Sequence, residues 1–124
     1  MTFNPVAALN VIECKNIIST NDPKAVDLGS QTSSINDIFV KNLLDNNKTI
    51  HRIQKKNLDN LSRFKSFTTE DYFKSVGFKE YKSIDINGAY NSLQFDLNKN
   101  ISATYSYNEK YDLVINNGTG EHVF

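Results

Sequence analysis

The sequence predicts an α/β fold, a mostly parallel sheet flanked by helices, and three observations point to it. Helical and strand-like patterns alternate along the chain, and few gaps between strand candidates are of turn size. The last strand candidate, Leu113-Val114-Ile115, is apolar on both faces, as an interior strand of a parallel sheet should be. At 124 residues the chain fits a single domain, residues 1–124, and 39% hydrophobic content with eight Phe and six Tyr can build one modest core.

The elements follow in order. From about Val6 to Ser19 the residues Val6, Leu9, Val11, Ile12, Ile17 and Ile18 suit a helix, which Thr20-Asn21-Asp22-Pro23 should stop because proline cannot continue it. Lys24-Ala25-Val26-Asp27-Leu28 is a short strand closed by Gly29. Ser33 or Ser34 can cap a helix with Ile35, Phe39, Val40, Leu43 and Leu44 on one face. Residues Asp45 to Phe67 are polar and weakly periodic, helical or irregular. Thr68 or Thr69 then begins a short helix, with Glu70 and Asp71 at its positive end and Gly77 as its stop. Three strand candidates remain: Tyr81 to Ile86, Ser92 to Phe95, and Tyr111 to Ile115. Asn87-Gly88 and Asn117-Gly118 mark turns. The second of these could instead join a hairpin pairing Leu113–Ile115 with His122–Phe124.

Composition excludes several classes of function. Fourteen basic and fourteen acidic residues balance, which makes nucleic acid an unlikely partner. Six basic residues against one acid between Lys48 and Lys65 form a local exception, most simply a solvated face. The single Cys14 excludes an internal disulfide, suits a reducing compartment, and is expected to be a small buried thiol. With His51 and His122 it has no ligand spacing, so no metal site is expected. No apolar run is long enough for a membrane span and no secretory leader is recognisable, so the expected location is cytoplasmic.

In an open parallel sheet, ligands bind beyond the carboxyl ends of the strands. Those ends read Asp27-Leu28-Gly29-Ser30-Gln31, Asp85-Ile86-Asn87-Gly88, Asp96-Leu97-Asn98 and Asn116-Asn117-Gly118-Thr119. Ionised carboxylates offer only acceptors, which suits a vicinal diol and an exocyclic amine. No lysine follows a glycine-rich loop, so a nucleoside without phosphate fits better than a dinucleotide.

Four segments, Lys24-Ala25-Val26-Asp27-Leu28-Gly29-Ser30, Ser83-Ile84-Asp85-Ile86, Phe95-Asp96-Leu97-Asn98 and Tyr111 to Gly118, resemble in order the first four strand motifs of the class I S-adenosylmethionine-dependent methyltransferases. The ending Gly118-Thr119-Gly120-Glu121-His122-Val123-Phe124 is similar to a subset reading Gly-Thr-x-Glu-His-Val-Phe after strand four. The resemblance implies a Rossmann-like sheet whose spatial order begins 3-2-1-4 and S-adenosylmethionine as cofactor. It implies cofactor contacts from Asp27, Gly29, Ser30 and Gln31 in the first loop, and from Asp85 and Ile86, with the acid on the ribose hydroxyls, in the second. Asp96 and Leu97 would meet the adenine, and Asn116 and Gly118 would lie below the methyl donor. Catalytic residues and the methyl acceptor are not identified.

The chain departs from the family pattern at Gln31, where many members have a second glycine. Asp27 and Asp85 are also 58 positions apart, an excess that a helical, basic insertion at about Asn42 to Thr69 accounts for. The strands that follow strand four in the family have no counterpart before Phe124. The chain therefore reads as the amino-terminal part of a longer product, inactive alone, or as one whose strand-four edge pairs with another chain. The alternative function is a non-catalytic Rossmann-like binding or interaction module.

Overall fold

Pro23 and Gly29 bracket a strand, Lys24–Leu28, that becomes the middle of a parallel sheet. The computed structural model describes residues 2–29, 32–33, 68–117, 119–120 and 123. In chain order its elements are β1 (Thr2–Phe3), α1 (Pro5–Ile17), β2 (Lys24–Leu28), β3 (Thr32–Ser33), α2 (Thr69–Val76), β4 (Glu80–Ile84), α3 (Ile101–Tyr105) and β5 (Leu113–Ile115). A 3-10 turn at Ala89–Asn91 precedes α3. The expected helix after Ser33 or Ser34 and nearly all of the basic insertion lie outside the described residues.

The fold is α/β, with an open three-stranded parallel sheet in the order β4-β2-β5 and helices against it. The expected four-stranded order is not found. Of the segment Ser92 to Phe95, only Leu93 joins the sheet, through one parallel bridge to Ile84. Leu93 N–H donates to the Ser83 carbonyl at 2.8 Å and its own carbonyl accepts from Asp85 N–H at 2.9 Å. Phe95 N–H then turns back onto that same Leu93 carbonyl at 2.8 Å, which bends the chain away before a second pair can form. Of the hairpin alternative, Val123 belongs to no strand, β5 pairs in parallel with β2, and His122 and Phe124 lie outside the described residues.

α1 starts one residue earlier than expected because Asn4 caps it, its side-chain oxygen accepting from Ala7 N–H at 3.0 Å with Pro5 next in line. Its buried face is Ala7, Ala8, Val11 and Ile12, whereas Val6, Leu9 and Ile17 are exposed. The helix is apolar nearly all round, so its pattern does not reveal which side faces inward. The two alanines allow close approach, and Tyr72 of α2 donates its hydroxyl to the Ala8 carbonyl at 2.7 Å. Cys14 is half-buried rather than buried.

α2 is set by a capping box. Thr68 Oγ1 accepts from Asp71 N–H, and the Asp71 carboxylate accepts from Thr68 N–H. Gly77, at φ 117°, ends it in the left-handed conformation that glycine adopts freely. This helix aims Tyr72, Phe73 and Val76 at the same core as Ala25, Tyr81 and Ile115 of the sheet. Phe3 of β1, paired to β3, completes that core with its ring 5.4 Å from Tyr72 and 5.7 Å from Phe73. Among the described residues no helix is long and apolar enough to cross a membrane.

Candidate functional site

Parallel strands that end at one level leave their loops side by side, and here those loops enclose a cleft of about 170 Å³. Gly29 follows β2, and its N–H donates to the Ile84 carbonyl at 2.7 Å, extending the β2–β4 ladder by one bond. Its φ of 98° is open to glycine and strained for other residues. A Cβ at this position would meet Thr119 Oγ1 at 2.2 Å, so the bare backbone of Gly29 is what lets the loop after β5 close against it.

Asp85 follows β4 directly. Its carboxylate accepts from Asn87 N–H at 3.1 Å, and its carbonyl accepts from Gly88 N–H at 3.0 Å, so the chain reverses at Asn87-Gly88. Asp96 stands on the next segment, its carboxylate accepting from Asn98 N–H at 2.9 Å and from the Asn98 side-chain amide at 3.1 Å. After β5, the Asn116 side-chain oxygen accepts from Thr119 N–H at 3.1 Å and Gly120 N–H at 2.8 Å. That turn carries Thr119 to the cleft.

The lining is thus Gly29 after β2, Ile84 at the end of β4 with Asp85 and Ile86 after it, Phe95 to Asn98 from the bridged segment, and Thr119 and Val123 after β5. Among the described residues, apolar walls surround two carboxylates, a hydroxyl and an amide, and no basic residue lines the cleft. Such a site favours a ligand rich in donors or carrying positive charge, and it repels phosphate. The volume falls below the roughly 300–1,000 Å³ usual for whole ligands, so the cleft has room for part of such a ligand.

Compared with family models, curated proteins and solved structures, the chain gives no match.

Of the ten residues singled out from the sequence, Gly29, Asp85, Ile86, Asp96 and Leu97 line this one cleft. Asp27 does not. It is fully buried in the central strand, where the Tyr81 hydroxyl donates to its carboxylate at 3.4 Å. Strand alternation explains this: Asp27 shares the face of Ala25, which points into the core. Asn116 is exposed and shapes its loop instead of lining the cleft. Ser30, Gln31 and Gly118 lie outside the described residues.

Ile84, Phe95, Asn98, Thr119 and Val123 were missed as lining residues. Their only sequence signal was membership of the motifs that supplied the others. Among the described residues no group of three or more His, Cys, Asp or Glu could hold a metal ion.

The backbone N–H of Asn98, then its side-chain amide, holds the Asp96 carboxyl below the ordinary carboxylate range, with a further contribution from Lys99. A depressed carboxyl contributes stability above its unfolded-chain pKa and loses it as the pH falls through the lower folded value. Asp96 is therefore expected to stay ionised into mild acid. In a carbon-13 carboxyl titration its midpoint should lie below that of a free aspartate and rise in Asn98→Ala. Because Asn98→Ala keeps the backbone N–H, an unmoved midpoint in the variant would contradict the share assigned to the side-chain amide.

Proposed function

We propose that the cleft grips the nucleoside of S-adenosylmethionine, and that the chain is the cofactor-binding portion of a methyltransferase whose acceptor is unidentified. One observation carries this reading: Asp85 and Asp96, which arrive from different segments, line a single cleft with Gly29 beyond the carboxyl ends of parallel strands. The Rossmann-like order 3-2-1-4 draws support from Leu93, whose bridge to Ile84 lies on the side of β4 away from β2.

The residues present fit the cofactor's chemistry. Asp85 can accept from both ribose hydroxyls and Asp96 from the adenine amine, while Ile86, Phe95 and Leu97 supply apolar surface for the ring. The two carboxylates also offset the positive sulfonium. When bound, the cofactor supplies a methyl group open to in-line displacement, and the protein's share of that reaction is chiefly to hold the reactants aligned.

Calorimetry tests the proposal. S-adenosylhomocysteine should bind the chain and NAD, whose pyrophosphate meets two carboxylates, should not. Asp85→Ala should weaken S-adenosylhomocysteine at least about tenfold, the scale of a hydrogen bond to a charged group. Asp85→Asn, which can retain the turn at Asn87, separates this loss from misfolding. Heat with neither ligand would favour the non-catalytic module, and equal affinity in wild type and both variants would overturn the assigned role of Asp85.

A further inference from the structure

We propose that Tyr105 is the positioning residue of the cleft: its ring and its hydroxyl together fix the segment that carries Asp96 and so set the affinity of the site. The proposal rests on the reading of the cleft as a nucleoside site.

Two contacts come from this one side chain. Asp96 N–H donates to the Tyr105 hydroxyl at 2.8 Å. The Tyr105 ring stacks on Phe95, with centroids 4.3 Å apart and planes 18° from parallel. Phe95 itself lines the cleft. The contacts therefore fall on consecutive residues, and the Phe95–Asp96 peptide cannot rotate without breaking one of them.

This segment needs such a support. Its pairing with the sheet ends at Leu93, so no strand ladder continues to Asp96. A loop without a ladder opens more readily than a strand. The bonds from Asn98 orient the Asp96 carboxylate within its own turn. Tyr105 ties Phe95 and Asp96 to α3.

Tyr105 is in turn anchored. The side chain of Asn100 caps α3, accepting from Ala103 N–H at 2.9 Å. The Tyr107 ring meets Phe95 edge-on at 5.1 Å, and its hydroxyl is bonded to that of Tyr111. Lys24 at the start of β2 lies 5.3 Å from the centre of the Tyr111 ring and pairs with Glu109 at 2.7 Å. Ring, hydroxyl and cation contacts thus run from Phe95 at the cleft to the amino end of the central strand. Tyr105 transmits position and touches no reacting atom.

The test compares Tyr105→Phe, Tyr105→Leu and Tyr72→Phe in the full 124-residue chain. Tyr105→Phe keeps the stack and loses the hydroxyl, whereas Tyr105→Leu loses both. Tyr72→Phe loses a hydroxyl bond of similar length between α1 and α2. Tyr105→Phe should speed hydrogen exchange at the Asp96 amide and weaken S-adenosylhomocysteine about three- to tenfold, the scale of one hydrogen bond. Tyr105→Leu should weaken it further.

Tyr72→Phe should lower the melting temperature and leave the affinity unchanged, a separation that general destabilisation cannot produce. If Tyr105→Phe binds like wild type with the Asp96 amide equally protected, the positioning role is overturned while the proposed function stands. If wild type fails to bind S-adenosylhomocysteine, the proposed function falls instead. Asp96 exchange in Tyr105→Phe then decides the clamp alone, faster exchange supporting it and unchanged exchange overturning it.

Discussion

Phe73→Ala is expected to destabilise the fold by about 3–5 kcal/mol, the range for emptying a fully buried aromatic site. Phe73 has no exposed surface, and among the described residues four other rings surround it. Tyr81 lies 4.6 Å away, Phe78 5.3 Å, Phe3 5.7 Å and Tyr72 6.2 Å between ring centroids. These neighbours come from β4, the turn after α2, β1 and α2 itself, so no single element can collapse into the void. Aromatic pairs also lose their edge and offset contacts, roughly 0.5–1.5 kcal/mol for each pair beyond the buried area. Against a total stability of about 5–15 kcal/mol for a domain, such a loss leaves little margin. Urea denaturation measures it, and a loss below about 1 kcal/mol would mean that the ring cluster is not the packing centre.

Gly29→Ala is expected to disturb the cleft and the fold together. Two separate costs act at this position. A residue with a side chain at φ 98° is strained, by about 1–3 kcal/mol. The new methyl group also lies well inside contact distance of Thr119 Oγ1, so the Thr119 side chain must shift. The double variant Gly29→Ala with Thr119→Ala removes the nearest atom and leaves the backbone strain. It should therefore recover part of the stability lost in Gly29→Ala, giving a coupling of opposite sign to the two single losses. Denaturation of the four members of the cycle checks this. Wild-type stability in Gly29→Ala, or no recovery in the double variant, would contradict the close approach of the two loops.

The sequence was most legible where local chemistry and burial agree. β2 lies between proline and glycine, and it occupies the expected Lys24–Leu28. α2 has its caps spelled out in Thr68, Asp71 and Gly77, and both ends fall where expected. Legibility was lower where burial depends on distant partners. α1 carries apolar residues on nearly every side, and only the position of α2 decides that Ala7 and Ala8 face inward. α3 and β1 went unread because five polar-rich residues and two residues are too short for any periodicity.

The site divides in the same manner. Residues that directly follow a strand, such as Gly29, Asp85 and Ile86, could be located because strand ends gather at one edge of a parallel sheet. Asp27 precedes its strand's end, and the alternation of the strand turns it into the core. Thr119 reaches the cleft through the side-chain bonds of Asn116, and Tyr105 reaches Asp96 from a helix the pattern did not reveal. Such long-range supports leave no trace in spacing.

The most direct measurement is amide mapping by NMR during titration of the nitrogen-15 labelled chain with S-adenosylhomocysteine. The amides of Gly29, Asp85, Ile86, Asp96 and Leu97 should shift together and saturate with one dissociation constant, while those of α1 and α2 stay in place. No shift at millimolar ligand, or shifts that leave this cleft out, would contradict a nucleoside site at the carboxyl ends of these strands.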